Sequence, residues 1–202
     1  MVSDVDEVVL EFVQPFMQFL DANGHELRLE SFRLHGNIYI KKTQETVDNY
    51  TVSRFLESFF AEHDDWQTVV PDAVECLAAL RERHGADIVF LTAMPPRHHA
   101  RRRALLDLHG LDHPMIATEE KKGDAVSALL AGNPARPVAF IDDLPHNHIS
   151  VSTAAPDALT VHMTAHKPLK PLLPPLPENV VEAEDWREVY AAISAFLTER
   201  GY

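Results

Sequence analysis

The sequence predicts an α/β protein: a Rossmann-like parallel sheet flanked by helices, with a small, mostly helical insert after the first strand. Three observations carry this expectation. From residue 87 onward, compact apolar runs alternate with helical patterns, the rhythm of a parallel sheet covered on both faces. Between residues 13 and 70 the spacing is mainly helical instead. Finally, acids, a hydroxyl and a lysine stand where apolar runs end or helices begin, the places where open α/β sheets bind ligands. The expected division is a core of residues 1–12 and 71–202 and an insert of 13–70.

The elements follow in order. Met1 to Ser3 leave almost no room for a strand before Asp4. Phe12, Phe16, Phe19 and Leu20 have helical spacing, and Gly24 is a natural stop. A short strand is expected at 37–40. Val47, Tyr50, Phe55, Phe59 and Phe60 mark a second helix over 47–63. Pro71-Asp72 starts a third, 73–84, which Gly85 ends. Ile88-Val89-Phe90-Leu91 reads as a buried strand closing at Thr92. Helices over 97–109 and 122–131 are each followed by glycine, with a strand at 114–117 between them. Strands at 137–141 and 158–163 flank a helical or irregular stretch at 145–153. Residues 167–177 (KPLKPLLPPLP) are expected to be extended. A last helix runs over 185–198, with Trp186, Val189, Tyr190 and Ile193 on one face.

Composition narrows the function. The chain has 202 residues, 46% hydrophobic and 24% charged, which suits a globular protein with a substantial core. No apolar stretch is long enough to span a membrane, and no secretory signal pattern opens the chain. Cys76 is the one cysteine, so no internal disulfide forms and a reducing cytoplasm is expected. A net charge of −13 repels nucleic acid backbones, so no nucleic acid polymer and no membrane partner are expected. A small phosphorylated substrate remains compatible, because a local cation overrides the global field at short range.

The chemistry-bearing residues form an ordered set. Asp4 and Asp6 are two apart, which in extended backbone points both the same way. One aspartate can then attack phosphorus while the other handles a proton. Alone, the pair also reads as a solvated acidic stretch. Thr92 ends a strand, and its hydroxyl with the following N–H groups suits a phosphate; alone it reads as a helix cap. Lys122 opens a helix, from which it can reach a phosphate and a carboxylate together. Asp142-Asp143 ends a buried strand, where unpaired carboxylates are costly unless they bind a metal such as Mg²⁺. His98-His99 and His146-x-His148 have no third soft ligand at a telling spacing. Arg97, Arg101, Arg102 and Arg103 read as a solvated helix face, with Ala104, Leu105 and Leu108 turned inward. Phe55, Phe59, Phe60 and Trp66 read as packing within the insert, with a nucleobase or sugar pocket as the alternative.

Together these residues resemble the haloacid dehalogenase (HAD) superfamily, whose members are mostly phosphatases. That family carries Asp-x-Asp after strand one, Ser or Thr after strand two, then Lys, then paired acids. In this chain these are Asp4/Asp6, Thr92, Lys122 and Asp142/Asp143, and the insert stands where the family's cap is placed. The stretches around Asp4 and Asp142 further resemble the 5'(3')-deoxyribonucleotidase-like branch. The resemblance implies a Mg²⁺-dependent phosphomonoester hydrolase acting on a small phosphorylated metabolite, a nucleotide being one candidate. It implies that Asp4 attacks to form an aspartyl-phosphate and Asp6 serves as acid and base. It implies that Thr92, the N–H of Ala93 and Lys122 hold the phosphate. The metal falls to Asp4, Asp6 through its backbone carbonyl, and Asp142 or Asp143. Glu7 departs from the family's usual glycine, adding bulk and charge beside the site. That departure keeps open a second reading, a catalytically impaired binding or regulatory protein on the same fold.

Overall fold

The computed structural model describes residues 1–132 and 135–202. The first strand, β1 (Val2–Ser3), has only two residues, yet it becomes the centre of the sheet. Val2 pairs in parallel with Val89 on one side and Phe140 on the other. Two pairings of each residue hold in place a strand too short to stand by propensity alone. After it come α1 (Val13–Ala22), the antiparallel pair β2 (His25–Leu27) and β3 (Ile38–Ile40), and α2 (Asn49–Ala61). A 3-10 turn at His63–Asp65 leads to α3 (Ala73–His84).

The remainder alternates strand and helix as expected. It contains β4 (Val89–Thr92), α4 (His99–Leu108), β5 (Met115–Ala117) and α5 (Lys122–Ala131). Then follow β6 (Ala139–Asp142), α6 (Pro145–Ala154), β7 (Leu159–His162), β8 (Val180–Glu182) and α7 (Trp186–Glu199). Six strands form one parallel sheet in the order β5-β4-β1-β6-β7-β8. Counted along the sheet's own strands this is the order 3-2-1-4-5-6 of a Rossmann-like fold, in which the chain reverses direction beside β1. Crevices open at that reversal, outside the carboxyl ends of the strands.

Burial explains the layers. Phe90, Ile141 and Val161 from the sheet pack with Leu77 and Leu80 of α3 and Trp186, Val189 and Ile193 of α7. On the other face, Leu91 and Phe140 meet Val126 of α5 and Val151 of α6. Residues 13–70 bring their own apolar cluster, with Phe16, Phe19, Phe59 and Ile38 at its heart. Its rings meet edge to face, Phe16 on Phe59 with centroids 5.3 Å apart and Phe19 on Trp66 at 5.8 Å. Phe16, Phe19, Phe59 and Trp66 are therefore packing, as their spacing implied, while Phe60 also lines the cavity beside the acids.

Two expectations need correction, and two strands were missed. Residues 167–172 wind into a 3-10 helix rather than running extended, with Leu169 buried beneath it. The buried face of α4 is Arg102, Leu105 and Leu106, while Ala104 and Leu108 face solvent. Arg102 is thus a core residue and not part of a solvated basic face. β2 and β8 were not legible as strands: each is three residues long and half-buried or exposed along most of its length.

Candidate active site

The register of the sheet places the acids. Ser3 lies beside Phe90 and Ile141, so Asp4 emerges level with the last residues of β4 and β6. Its N–H donates to the Ile141 carbonyl at 2.9 Å. The chain then makes one helical turn, in which the N–H groups of Val9 and Leu10 both donate to the Val5 carbonyl at 2.8 Å. This turn brings Asp6 back towards β4, and Thr92 Oγ1 lies 3.5 Å from Asp6 Oδ2. Thr92 is fully buried, and Ala93 lines the same cavity as Asp4 and Asp6.

Lys122 is the first residue of α5, and its side chain is almost wholly buried. Its Nζ reaches Asp4 Oδ1 at 2.7 Å and Asp142 Oδ2 at 2.6 Å. Gly123 makes this reach feasible. A Cβ there would stand 2.4 Å from the backbone oxygen of Ser150, so only glycine lets α5 lie this close to α6. Burial opposes the lysine's charge, but Asp142 and Asp4 outweigh it and hold the ammonium above its ordinary pKa.

The paired acids play different parts. Asp142 is saturated: Oδ1 accepts from the Leu144 N–H and Asn147 Nδ2, both at 2.9 Å, and Oδ2 accepts from Lys122. Asp143 is also buried, yet no hydrogen bond reaches its carboxylate among the described residues. Burial, then Asp142, Asp4 and Glu7, push its pKa well above the usual carboxylate range. Asp4 is likewise pushed up to about 7, by burial first, with Lys122 opposing and Asp142 adding. Asp4, Asp142 and Asp143 each offer an oxygen within 4.8 Å of the others. An oxygen-only set of buried, mutually repelling carboxylates fits Mg²⁺, whose charge relieves both desolvation and repulsion. The Asp6 carboxylate is outside this group.

Instead, Asp6 is held by residues that the sequence did not mark as part of a site. Arg102 NH1 donates to Asp6 Oδ1 at 2.8 Å, and Gln67 Nε2 donates to the same oxygen at 2.9 Å. Arg102 is fully buried, its guanidinium carbon 5.6 Å from the centre of the Phe60 ring. Three of its neighbours also reach acids: Arg97 and His98 pair with Glu57, and Arg101 Nε lies 2.6 Å from Asp64 Oδ1. These contacts tie the start of α4 to residues 57–64. His148 and His162 lie 3.1 and 2.9 Å from the backbone oxygens of Asp142 and Asp143, fixing the turn that presents both acids. His146 is exposed. The spacing of Asn147, five residues past Asp142 on the first turn of α6, was the one local signal for any of these partners.

Glu7 resolves differently from its expected role. It takes the left-handed backbone, φ 65°, that glycine adopts more readily. Its carboxylate lies beside the same cavity as the acids but is taken up by backbone and hydroxyl donors. Oε1 accepts from the N–H groups of Phe12 and Val13 at 2.9 and 2.6 Å, at the start of α1. Oε2 accepts from the His166 N–H at 2.7 Å and Thr164 Oγ1 at 3.3 Å. A carboxylate at this position satisfies otherwise unpaired helix N–H groups and faces the positive end of the helix dipole.

The fold is that of haloacid dehalogenase-like hydrolases. A haloacid dehalogenase-like family hydrolase from Xanthomonas campestris superposes with a TM-score of 0.62 at 14% identity, over 99% of this chain and 96% of that one. A HAD-superfamily hydrolase from Ehrlichia chaffeensis gives 0.54 at 12% identity, over 97% and 96%. D,D-heptose 1,7-bisphosphate phosphatase from B. bronchiseptica, complexed with magnesium and phosphate, gives 0.55 at 13% identity, over 97% and 98%. No protein-family model and no curated protein matches the chain. No helix among the described residues is long and apolar enough to cross a membrane.

Proposed function

We propose that this chain is a Mg²⁺-dependent phosphomonoester hydrolase acting on a small phosphorylated metabolite, with residues 13–70 as the cap over its active site. The carrying observation is the cluster in which Lys122 bridges Asp4 and Asp142 while Asp143 keeps a free carboxylate. It stands at the carboxyl edge of the sheet beside β1, where this fold opens its crevice.

In this reading the Asp4 carboxylate attacks phosphorus and the bond to the leaving oxygen breaks. Asp6, oriented by Arg102 and Gln67, gives that oxygen a proton. Asp6 then takes a proton from water, whose oxygen attacks the aspartyl-phosphate and releases phosphate, restoring Asp4. Thr92 Oγ1, the Ala93 N–H and the Lys122 ammonium contact the phosphoryl oxygens. Mg²⁺ held by Asp4, Asp143 and the Asp6 carbonyl would supply positive charge that keeps the carboxylates ionised and offsets the phosphoryl charge. Asp142 supports the site through Lys122. Against the rival reading, a binding protein impaired by Glu7, stands the engagement of the Glu7 carboxylate by four donors.

Phosphate release from a panel of phosphomonoesters, with Mg²⁺ and with chelator, tests this. Asp4→Asn is expected to lower turnover by about three orders of magnitude or more. Hydrolysis at the unmodified rate by that variant would overturn the reading. Binding of Mg²⁺ and phosphate without any turnover would favour the rival.

A further inference from the structure

The cavity that holds the acids continues away from them, with a volume of about 270 Å³. Its walls change character abruptly. Leu29, Phe32, Leu34, Leu56 and Phe60 line it from residues 13–70, and Leu169 and Leu173 line it from the segment between β7 and β8. Beyond the acids, Ser31 and Arg33 are the polar side chains that line it among the described residues, and Arg33 lies in solvent. Leu29, Leu34, Leu56 and Leu173 are only half-buried, so a ligand seated against them removes their apolar surface from water. Sugar hydroxyls and base amides would exchange water for leucine and lose hydrogen bonds. A second anionic group would also face Asp4, Asp6, Glu7 and Asp143 at the inner end.

We propose that the substrate is a phosphomonoester of a small apolar alcohol, an aryl or short alkyl phosphate, and that the leucine walls select it over sugar phosphates and nucleotides. This rests on the hydrolase reading above. The phosphate sits at Lys122 and Thr92 while the apolar group points between Leu34, Leu56 and Leu173. Hydrolysis breaks the bond from phosphorus to the alcohol oxygen, the alcohol leaves with a proton, and water supplies the oxygen of the released phosphate. At about 270 Å³ the cavity falls just below the usual span of ligand pockets, roughly 300–1,000 Å³, so the alcohol is of single-ring size.

Butyl phosphate and ribose 5-phosphate share a primary alkoxide leaving group, so the ratio of their kcat/KM reports the walls rather than the chemistry. Butyl and phenyl phosphate are expected to exceed ribose 5-phosphate and AMP by about tenfold or more. Leu34→Asn, between β2 and β3, and Leu56→Asn, on α2, are each expected to raise KM for butyl phosphate several-fold. Both variants should use ribose 5-phosphate better than the unmodified chain, because asparagine offers the sugar hydroxyls hydrogen bonds that leucine does not. Equal or better use of ribose 5-phosphate or AMP would overturn the proposal while leaving the hydrolase intact. If no ester is hydrolysed, the hydrolase reading fails by itself, and calorimetry with butylphosphonate and methylphosphonate decides the pocket. Tighter butylphosphonate binding upholds the apolar site, and equal binding removes it.

Discussion

The two walls of the central cavity are built on opposite principles. On the sheet side, charge is buried and bonded: Lys122 spans Asp4 and Asp142, and Arg102 and Gln67 hold Asp6. On the side of residues 13–70 the wall is leucine and phenylalanine, with few polar groups to satisfy. Buried ionic clusters tolerate little displacement, because each charge depends on partners placed within hydrogen-bond reach. Leucine walls are shape without direction and can be altered with the cluster unchanged. On the reading proposed above, reaction geometry belongs to the sheet, and selection among leaving groups to the leucine walls.

The largest effects should come from the sheet wall, and they should separate the two paired acids. Asp142→Ala removes one of two counter-charges from a buried lysine and is expected to cost about 3–5 kcal/mol in urea unfolding. Asp143→Asn deletes a carboxylate without a hydrogen-bond partner, so stability should hold or rise while Mg²⁺ affinity, read by calorimetry, falls at least about tenfold. Reversed outcomes would make Asp143 the support and Asp142 the metal ligand. Next in size, Arg102→Met leaves Asp6 without its charged partner and is expected to cost about 2–4 kcal/mol, with turnover falling alongside. A variant of unchanged stability would mean that the solvated-face reading of this arginine was sufficient.

A smaller effect is expected at Glu7, where two contributions oppose. Glycine relieves a left-handed backbone at a gain of about 1 kcal/mol. It also removes the acceptor for the start of α1 and for residues 164–166, so Glu7→Gly should be destabilising by about 1–2 kcal/mol net. An increase in thermal midpoint would show that strain wins. The smallest effect concerns acid. His63 is buried, and burial first, then Arg102, lowers its pKa from 6.5 to about 4. The unfolded chain therefore binds a proton that the folded chain refuses between those values. Stability from this group is complete above about pH 6.5 and declines as pH falls towards 4. His63→Phe should flatten that part of the stability profile, and an unchanged slope would assign it to other groups.

Much of this was legible because its signals are local. Asp4, Thr92 and Asp142 each end an apolar run, and Lys122 opens a helix, so sequence order alone assembled the set. The α-helical periods gave the positions of α1, α3, α5 and α7 to within a residue or so. The partner residues were silent for the opposite reason. Arg102 lies 96 residues from Asp6 and Gln67 lies 61 from it, and nothing in their own neighbourhoods marks them as buried. Arg102 sits among arginines that are exposed or half-buried, and one helical turn decides which of them points inward.

The sequence by itself determined the class of fold, most of its longer elements and the inventory of candidate site groups, because hydrophobic period and strand-end chemistry act over a few residues. Only the tertiary structure decided that a two-residue β1 is the central strand, that Asp142 is saturated and Asp143 free, and that Glu7 caps α1. The physical reason is common to all three: each depends on which distant backbone lies alongside, and pairings across a sheet or between helix starts and loops leave no periodic trace in the chain.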